Sequence, residues 1–307
     1  MKQRFVLLGA LGLLGSSACG PSARQMPDGA VQPIDAPKST DSTVVLESLV
    51  YAHTGNHLYR IDTVTNLPVD IGVITGLATN ESVTDIAVDK TGKIVGIGFK
   101  NLYSINKDSG AATLLKALPM SAQGFTSLSY VPTNLQDMNS AEILVAANND
   151  GDVFSIDPAT GDATPIGAYG VCGSNSSDVA CPNPGANSGK KIGSSGDIVA
   201  VYGAGIYATV NIGTSNADRD KPDFLVKINP ATWKATLPNT DTGLDHIFGL
   251  AFWKGKVYGF VDVPDVGAGR TGKFVSLDPN SGAAVELKNG PEAWFGAGVT
   301  TIAPIVE

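Results

Sequence analysis

One phrase recurs five times in this 307-residue chain and limits what it can fold into. It is clearest at Val153-Phe154-Ser155-Ile156-Asp157-Pro158-Ala159-Thr160-Gly161. A short run of strand-forming residues ends in an Asp or Asn, passes through a tight turn, and resumes as a second run. The other copies occupy residues 58–62, 102–106, 225–229 and 274–278, ending at Asp62, Asn106, Asn229 and Asp278. Successive Asp/Asn positions lie 44, 51, 72 and 49 residues apart. Spacing of this size marks a repeat architecture, in which each unit buries its apolar face against its neighbours.

The second copy shows the whole unit. Val83 to Val88 reads as a strand, Asp89-Lys90-Thr91-Gly92 as a turn, and residues 93–99, 102–106 and 112–117 as three further strands. Four antiparallel strands in about forty-five residues make one propeller blade. A second alignment agrees. The first strands carry an aliphatic residue at one fixed place, Ile86, Leu128, Ile198, Leu250 and Val299, always preceded by a small or acidic residue. No stretch from Thr43 onward has a sustained helical period, and 36 Gly and 18 Pro suit many tight turns.

The first unit lacks an inner strand, and the last inner strand, near Ala297 to Ala303, lacks a unit. The expectation is that the two combine and close the ring, which removes unpaired sheet edges. The fold class read from the chain is therefore an all-β, five-bladed β-propeller of four-stranded blades, with six blades as the minor alternative. The 72-residue interval holds a Ser-, Asn-, Gly- and Pro-rich segment, residues 167–191, which reads as a long loop, and residues 211–223 add a second polar excursion. The phrase at Ile156 to Gly167 resembles the repeats of secreted bacterial β-propellers of the quinoprotein-like and YVTN-like class, over roughly residues 43–304. The resemblance implies fold and transfers no active residue. Quinoprotein enzymes of that class would need a calcium site and cofactor-stacking tryptophans, and Trp233, Trp253 and Trp294 do not recur at equivalent blade positions.

The N-terminus reads as an address. Lys2 and Arg4 precede an eleven-residue apolar run, residues 5–15, too short to span a bilayer as a helix, and Ser16-Ser17-Ala18-Cys19 follows. This resembles the lipobox of bacterial lipoproteins, departing from it at Ser16, where Leu is usual. It implies a signal peptide over 1–18, a lipidated Cys19 carrying palmitate-type acyl chains, and export to an outer membrane or cell surface. Ordinary secretion is the alternative. Residues 19–42, with Pro21, Pro27, Pro33 and Pro37, form the expected tether, and residues 43–307 the propeller domain.

The formal charge of −8 and the lack of a Lys/Arg cluster exclude nucleic acid as a partner. With Cys19 assigned to lipid, Cys172 and Cys181 are expected to pair as a disulfide within the polar loop. His53 and His57 flank a turn and read as exposed turn residues, with metal binding a minor alternative. Glu81, Gln123, Asp245, His246 and Trp294 stand where the chain enters successive inner strands, at the mouth of an axial funnel, and could bind a small polar ligand or sugar. Asp85 and Asp197 occupy equivalent inner-strand places and could face one another as a cation site or acid/base pair. No phosphate-cradling glycine loop, nucleophile elbow or zinc-protease motif occurs. The leading reading is a monomeric, membrane-tethered binding module for a protein, glycan or small ligand, without a cofactor. The alternative is a calcium-assisted hydrolase or lactonase using Asp85, Asp197 and Glu81.

Overall fold

The computed structural model describes residues 49–120, 124–265, 269–290 and 292–306. The expected signal peptide, Cys19, the tether and Gln123 lie outside the described residues.

Five four-stranded antiparallel sheets form the five blades of a β-propeller. The first blade contains β1 (Val50–His53), β2 (His57–Asp62) and β3 (Leu67–Val73). The second runs β4 (Val83–Val88), β5 (Ile94–Gly98), β6 (Asn101–Ile105) and β7 (Ala112–Ala117). The third runs β8 (Phe125–Pro132), β9 (Glu142–Asn148), β10 (Asp152–Ile156) and β11 (Ala163–Ala168). The short helix α1 (Pro184–Asn187) precedes the fourth blade, formed by β12 (Ile192–Val201), β13 (Gly205–Ile212), β14 (Phe224–Ile228) and β15 (Ala235–Thr236), with α2 (Asn216–Arg219) between β13 and β14. The fifth runs β16 (Ile247–Trp253), β17 (Lys256–Asp265), β18 (Gly269–Leu277) and β19 (Ala284–Gly290). The closing strand β20 (Gly296–Val299) pairs with β1, from Val50 opposite Val299 to His53 opposite Gly296. Both ends of the described chain thus share one blade, as the missing inner strand of the first unit requires. Among the described residues no helix is long and apolar enough to cross a membrane.

The recurring phrase is the third strand of every blade, and its Asp or Asn builds the following turn. In the third blade the Asp157 carboxylate accepts from the Ala159 N–H at 2.8 Å, while the Gly161 N–H donates to the Asp157 carbonyl at 2.7 Å. Asp62, Asn106, Asn229 and Asp278 repeat both bonds. The fifth residue of each turn needs a left-handed backbone. It is Asn66, Gly110, Gly161, Trp233 and Gly282 in turn, all at positive φ. Trp233 is the exception in kind. It holds a conformation that costs a side-chain-bearing residue about 1–2 kcal/mol, offset by burial of its indole to 6% exposure among Tyr169, Val226 and Ala235.

The core lies between blades. The aliphatic inner-strand residues Ile86, Leu128, Ile198, Leu250 and Val299 are all buried, as period-2 alternation requires. In the fifth blade Trp253, fully buried, stacks on Phe274 at 5.9 Å between ring centroids. Burial of rings this large dominates the packing energy at roughly 25 cal/mol per Å² of apolar surface.

Candidate functional site

Four of the five inner strands carry a β-bulge near the same end. Pairing skips between Val83 and Asp85, Phe125 and Ser127, Ser194 and Ile198, and Ile247 and Gly249. A bulge leaves a residue unpaired and re-aims it. Among the residues freed here, Thr84, Thr126, Ser195 and Phe248 line one cavity of about 400 Å³. That volume falls within the range of small-molecule sites.

One wall is aromatic. His246 stacks on Phe248 at 5.1 Å between centroids, and Phe248 on Phe295 at 6.3 Å. The Arg270 guanidinium sits 5.1 Å from the centre of the Phe295 ring, and the buried Asp262 holds it, accepting from Nε at 3.0 Å and from Nη2. Val83 and Phe99 add apolar surface from the second blade, and polar groups come from Asn149, Ser194 and Asn211 of blades three and four and from Arg219 and Asp220 of the excursion between β13 and β14. His246 takes a left-handed φ of 59°, and its N–H donates to the Asp245 carboxylate at 2.8 Å. Burial raises the Asp245 carboxyl above its ordinary range in spite of the adjacent imidazole.

The other expected site residues are placed differently. Asp85 and Asp197 are fully buried and do not line the cavity. Thr84, just before Asp85, and Ser195, two residues before Asp197, turn into the cavity, and the two carboxyls lie deeper. Asp85 accepts from the N–H groups of Ile86 at 2.8 Å and Leu128 at 2.7 Å. Asp197 accepts from those of Ile198 at 2.5 Å and Leu250 at 2.7 Å. The Ala297 N–H also reaches Asp85, and the two carboxyls hydrogen-bond each other. The pair therefore ties together inner strands from all five blades. Burial pushes both carboxyls well above the ordinary range, and a shared proton is what allows two such groups to adjoin. Their oxygens are committed to backbone N–H groups and to each other.

Glu81 clasps the β5–β6 turn, accepting from the Lys100 N–H and the Asn101 side-chain amide, each at 2.8 Å. Trp294 is 3% exposed, edge-on to Tyr59 at 5.3 Å and to Phe260 at 5.5 Å. Its neighbour Phe295, just before β20, lines the cavity instead. Asp245 and His246 both line the cavity. His53 is not an exposed turn residue. It is fully buried, its Nδ1 bonds the Thr54 carbonyl at 2.9 Å, and burial pulls its pKa down to about 4. Gly296 lies against both His53 and Asp85, where a Cβ would collide with each, so this closing-strand position needs glycine. His57 is half-buried and pairs with Asp70 at 3.3 Å. Among the described residues no three or more His, Cys, Asp or Glu side chains are grouped so as to hold a metal ion.

Sequence reasoning missed Phe248, Phe295, Arg219 and Arg270. Phe248 adjoins Gly249 of the inner-strand alignment, and Phe295 follows the candidate Trp294. Arg219 lies in the polar excursion at residues 211–223. Arg270 lies on an upstream extension of β18, which begins five residues before the recurring phrase.

These features define the protein only as far as its class, a five-bladed β-propeller with an axial cavity. No protein-family model matches the chain, and no curated protein matches its sequence. Among solved structures it is similar to a protein of unknown function from Bacteroides caccae, at 12% identity and a TM-score of 0.38, covering 79% of this chain and 72% of that one. A structural-genomics protein of unknown function from Bacteroides thetaiotaomicron is similar at 13% identity and TM-score 0.41, and the match spans 68% of this chain but about half, 52%, of that chain. The PQQ-bound aldose sugar dehydrogenase of Streptomyces coelicolor is similar at 12% identity and TM-score 0.41, covering 80% and 73%.

Proposed function

We propose that the protein is an exported, lipid-tethered receptor-like module that binds a small polar ligand with a flat face in its axial cavity, without transforming it. The observation that carries this reading is the stacked wall His246–Phe248–Phe295 facing hydroxyl and amide groups across a cavity of about 400 Å³. Aromatic faces supply contact area at little entropic cost, and a few polar groups fix orientation. The alternative, a calcium-assisted hydrolase, draws no support from the placement of its carboxylates. Asp85 and Asp197 are spent on backbone N–H groups, and Glu81 on the β5–β6 turn.

The test is titration calorimetry of the full chain with a panel of monosaccharides, uronic acids and aromatic acids. Phe248→Ala is expected to weaken any cavity ligand at least about tenfold, in line with the worth of an aromatic contact in a desolvated site. Unchanged binding in that variant overturns the reading. The tether is tested separately. Cys19→Ser is expected to abolish incorporation of labelled palmitate and to release the protein from the membrane fraction. A membrane-bound Cys19→Ser protein would remove the lipid anchor from the account.

A further inference from the structure

The cavity holds two guanidinium groups in opposite circumstances. Arg270 is neutralised by the buried Asp262. The Arg219 guanidinium meets no hydrogen-bond acceptor among the described residues, and its Nε is buried without a partner; only the backbone N–H is used, donating to the Ser215 carbonyl at 3.0 Å. A sealed N–H donor without a partner forfeits the hydrogen bonds it made to water, and one belonging to a charged group forfeits more. The fold nevertheless holds Arg219 in place. It is the last residue of α2, whose first turn is capped by Ser215 accepting from the Asp218 N–H at 3.3 Å. Asp218 is itself held by Lys190 at 3.0 Å and Lys221 at 2.8 Å. Asp223 anchors the far end of the excursion, accepting from the Ile247 N–H at 2.8 Å and the Asn211 amide at 3.1 Å.

Resting on the reading of the cavity as a ligand site, we infer that the excursion at residues 211–223 delivers Arg219 to receive the carboxylate of a small acid, whose ring lies on the Phe248–Phe295 wall. The acid is a monoanion rather than a phosphate, because Asp220 and Asp245 line the same cavity and would repel a second negative charge. A planar fork suits a carboxylate in two-point contact. The same chemistry is carried by a uronic acid and by an aromatic acid.

The test uses the full chain and matched probes: sodium glucuronate against methyl glucoside, sodium benzoate against benzyl alcohol, and inorganic phosphate alone. In at least one pair the acid is expected to bind about tenfold or more tightly than its neutral partner, the scale of a charge-assisted hydrogen bond. The pair that responds identifies the source of the carboxylate. Arg219→Gln is expected to erase that preference while the neutral partner's affinity holds, and Arg219→Lys to restore part of it. Thermal unfolding of each variant checks that it is folded. Equal binding of acid and neutral partner, a preference that survives Arg219→Gln, or phosphate binding as tightly as the acid would each overturn the inference. In those cases weakening of the neutral probe by Phe248→Ala leaves the cavity reading standing. If no probe binds, the cavity reading and the inference fall together.

Discussion

Two polar excursions flank the inner part of the fourth blade, and they are held by different means. The first, residues 167–191, is closed by the disulfide between Cys172 and Cys181 and packs Tyr169, Cys172 and Val179 into the core beside the blade. The second, residues 211–223, has no covalent closure. It is held by the carboxylates Asp218 and Asp223, and it sends Arg219 and Asp220 into the axial cavity. The two touch where Lys190 meets Asp218 and where the Gly213 N–H donates to the Lys191 carbonyl at 2.8 Å. The difference separates stability from recognition. A cross-link limits the unfolded chain whatever the loop carries, whereas hydrogen bonds and ion pairs fix the direction of particular side chains. The stapled loop lends the fold buried apolar surface, and the pinned excursion lends the cavity its unpaired cation.

The largest effect is expected at Asp223. It is fully buried, and Asp223→Ala would strand the Asn211 amide and the Ile247 N–H, at a cost of about 3 kcal/mol. Chemical denaturation measures this, and a cost below about 1 kcal/mol would mean that the excursion is anchored elsewhere. The same carboxyl has a pH signature. Burial pushes its pKa up to about 7 from an unfolded value of 3.8. The folded chain therefore keeps a proton that the unfolded chain has already released, and Asp223's contribution to stability is lost as pH rises from about 4 to about 7. Asp223→Asn should flatten that part of the stability profile. An unaltered slope in the Asn variant would assign the decline to the Asp85–Asp197 pair.

Breaking the staple ranks next. Cys172→Ser with Cys181→Ser should lower stability by about 2–3 kcal/mol, the loop-closure value for so short a ring. It should also leave the acid preference of the cavity in place. If glucuronate or benzoate affinity falls together with stability, the two excursions work as one unit and the contrast between them dissolves.

The repeat was legible because strand alternation and Asx turns are local. The five phrases, the small-then-aliphatic inner-strand pattern and the orphan strand at residues 297–303 led to five blades and to closure against β1. The cavity was harder to read because bulges are not written in a period-2 pattern. One extra residue in β4 turns Thr84 into the cavity and leaves Asp85 beneath its floor, so the carboxylates singled out as facing the funnel became the buried pair that joins the blades. Ahead of β20 the chain is not a strand, so no period says which of Trp294 and Phe295 faces the cavity, and it is Phe295. Arg219 and Arg270 sit far apart in the chain on an insertion and a strand extension, and only the ring brings them to one space. Trp233 shows the reverse failure. Its turn was legible, but nothing local marks a tryptophan as the residue that will adopt φ of 60° where three sister turns use glycine.

The finest probe of the contrast is Asp218→Asn. The substitution removes the charge that holds Lys190 and Lys221 but keeps an oxygen able to accept hydrogen bonds. Because Lys221 is exposed and Lys190 partly so, the loss of stability should be within about 1 kcal/mol. Affinity for the acidic probe should respond more than stability does, because α2 ends at Arg219, next to the residue whose bonds are loosened. The acid-over-neutral ratio should shrink several-fold and should shrink in wild type as salt is raised, since exposed ion pairs are screened over about 10 Å at 0.1 M. A variant that loses stability while its acid-over-neutral ratio is unchanged would show that Asp218 braces the fold and leaves the aim of Arg219 to the Ser215 cap and the Asp223 anchor.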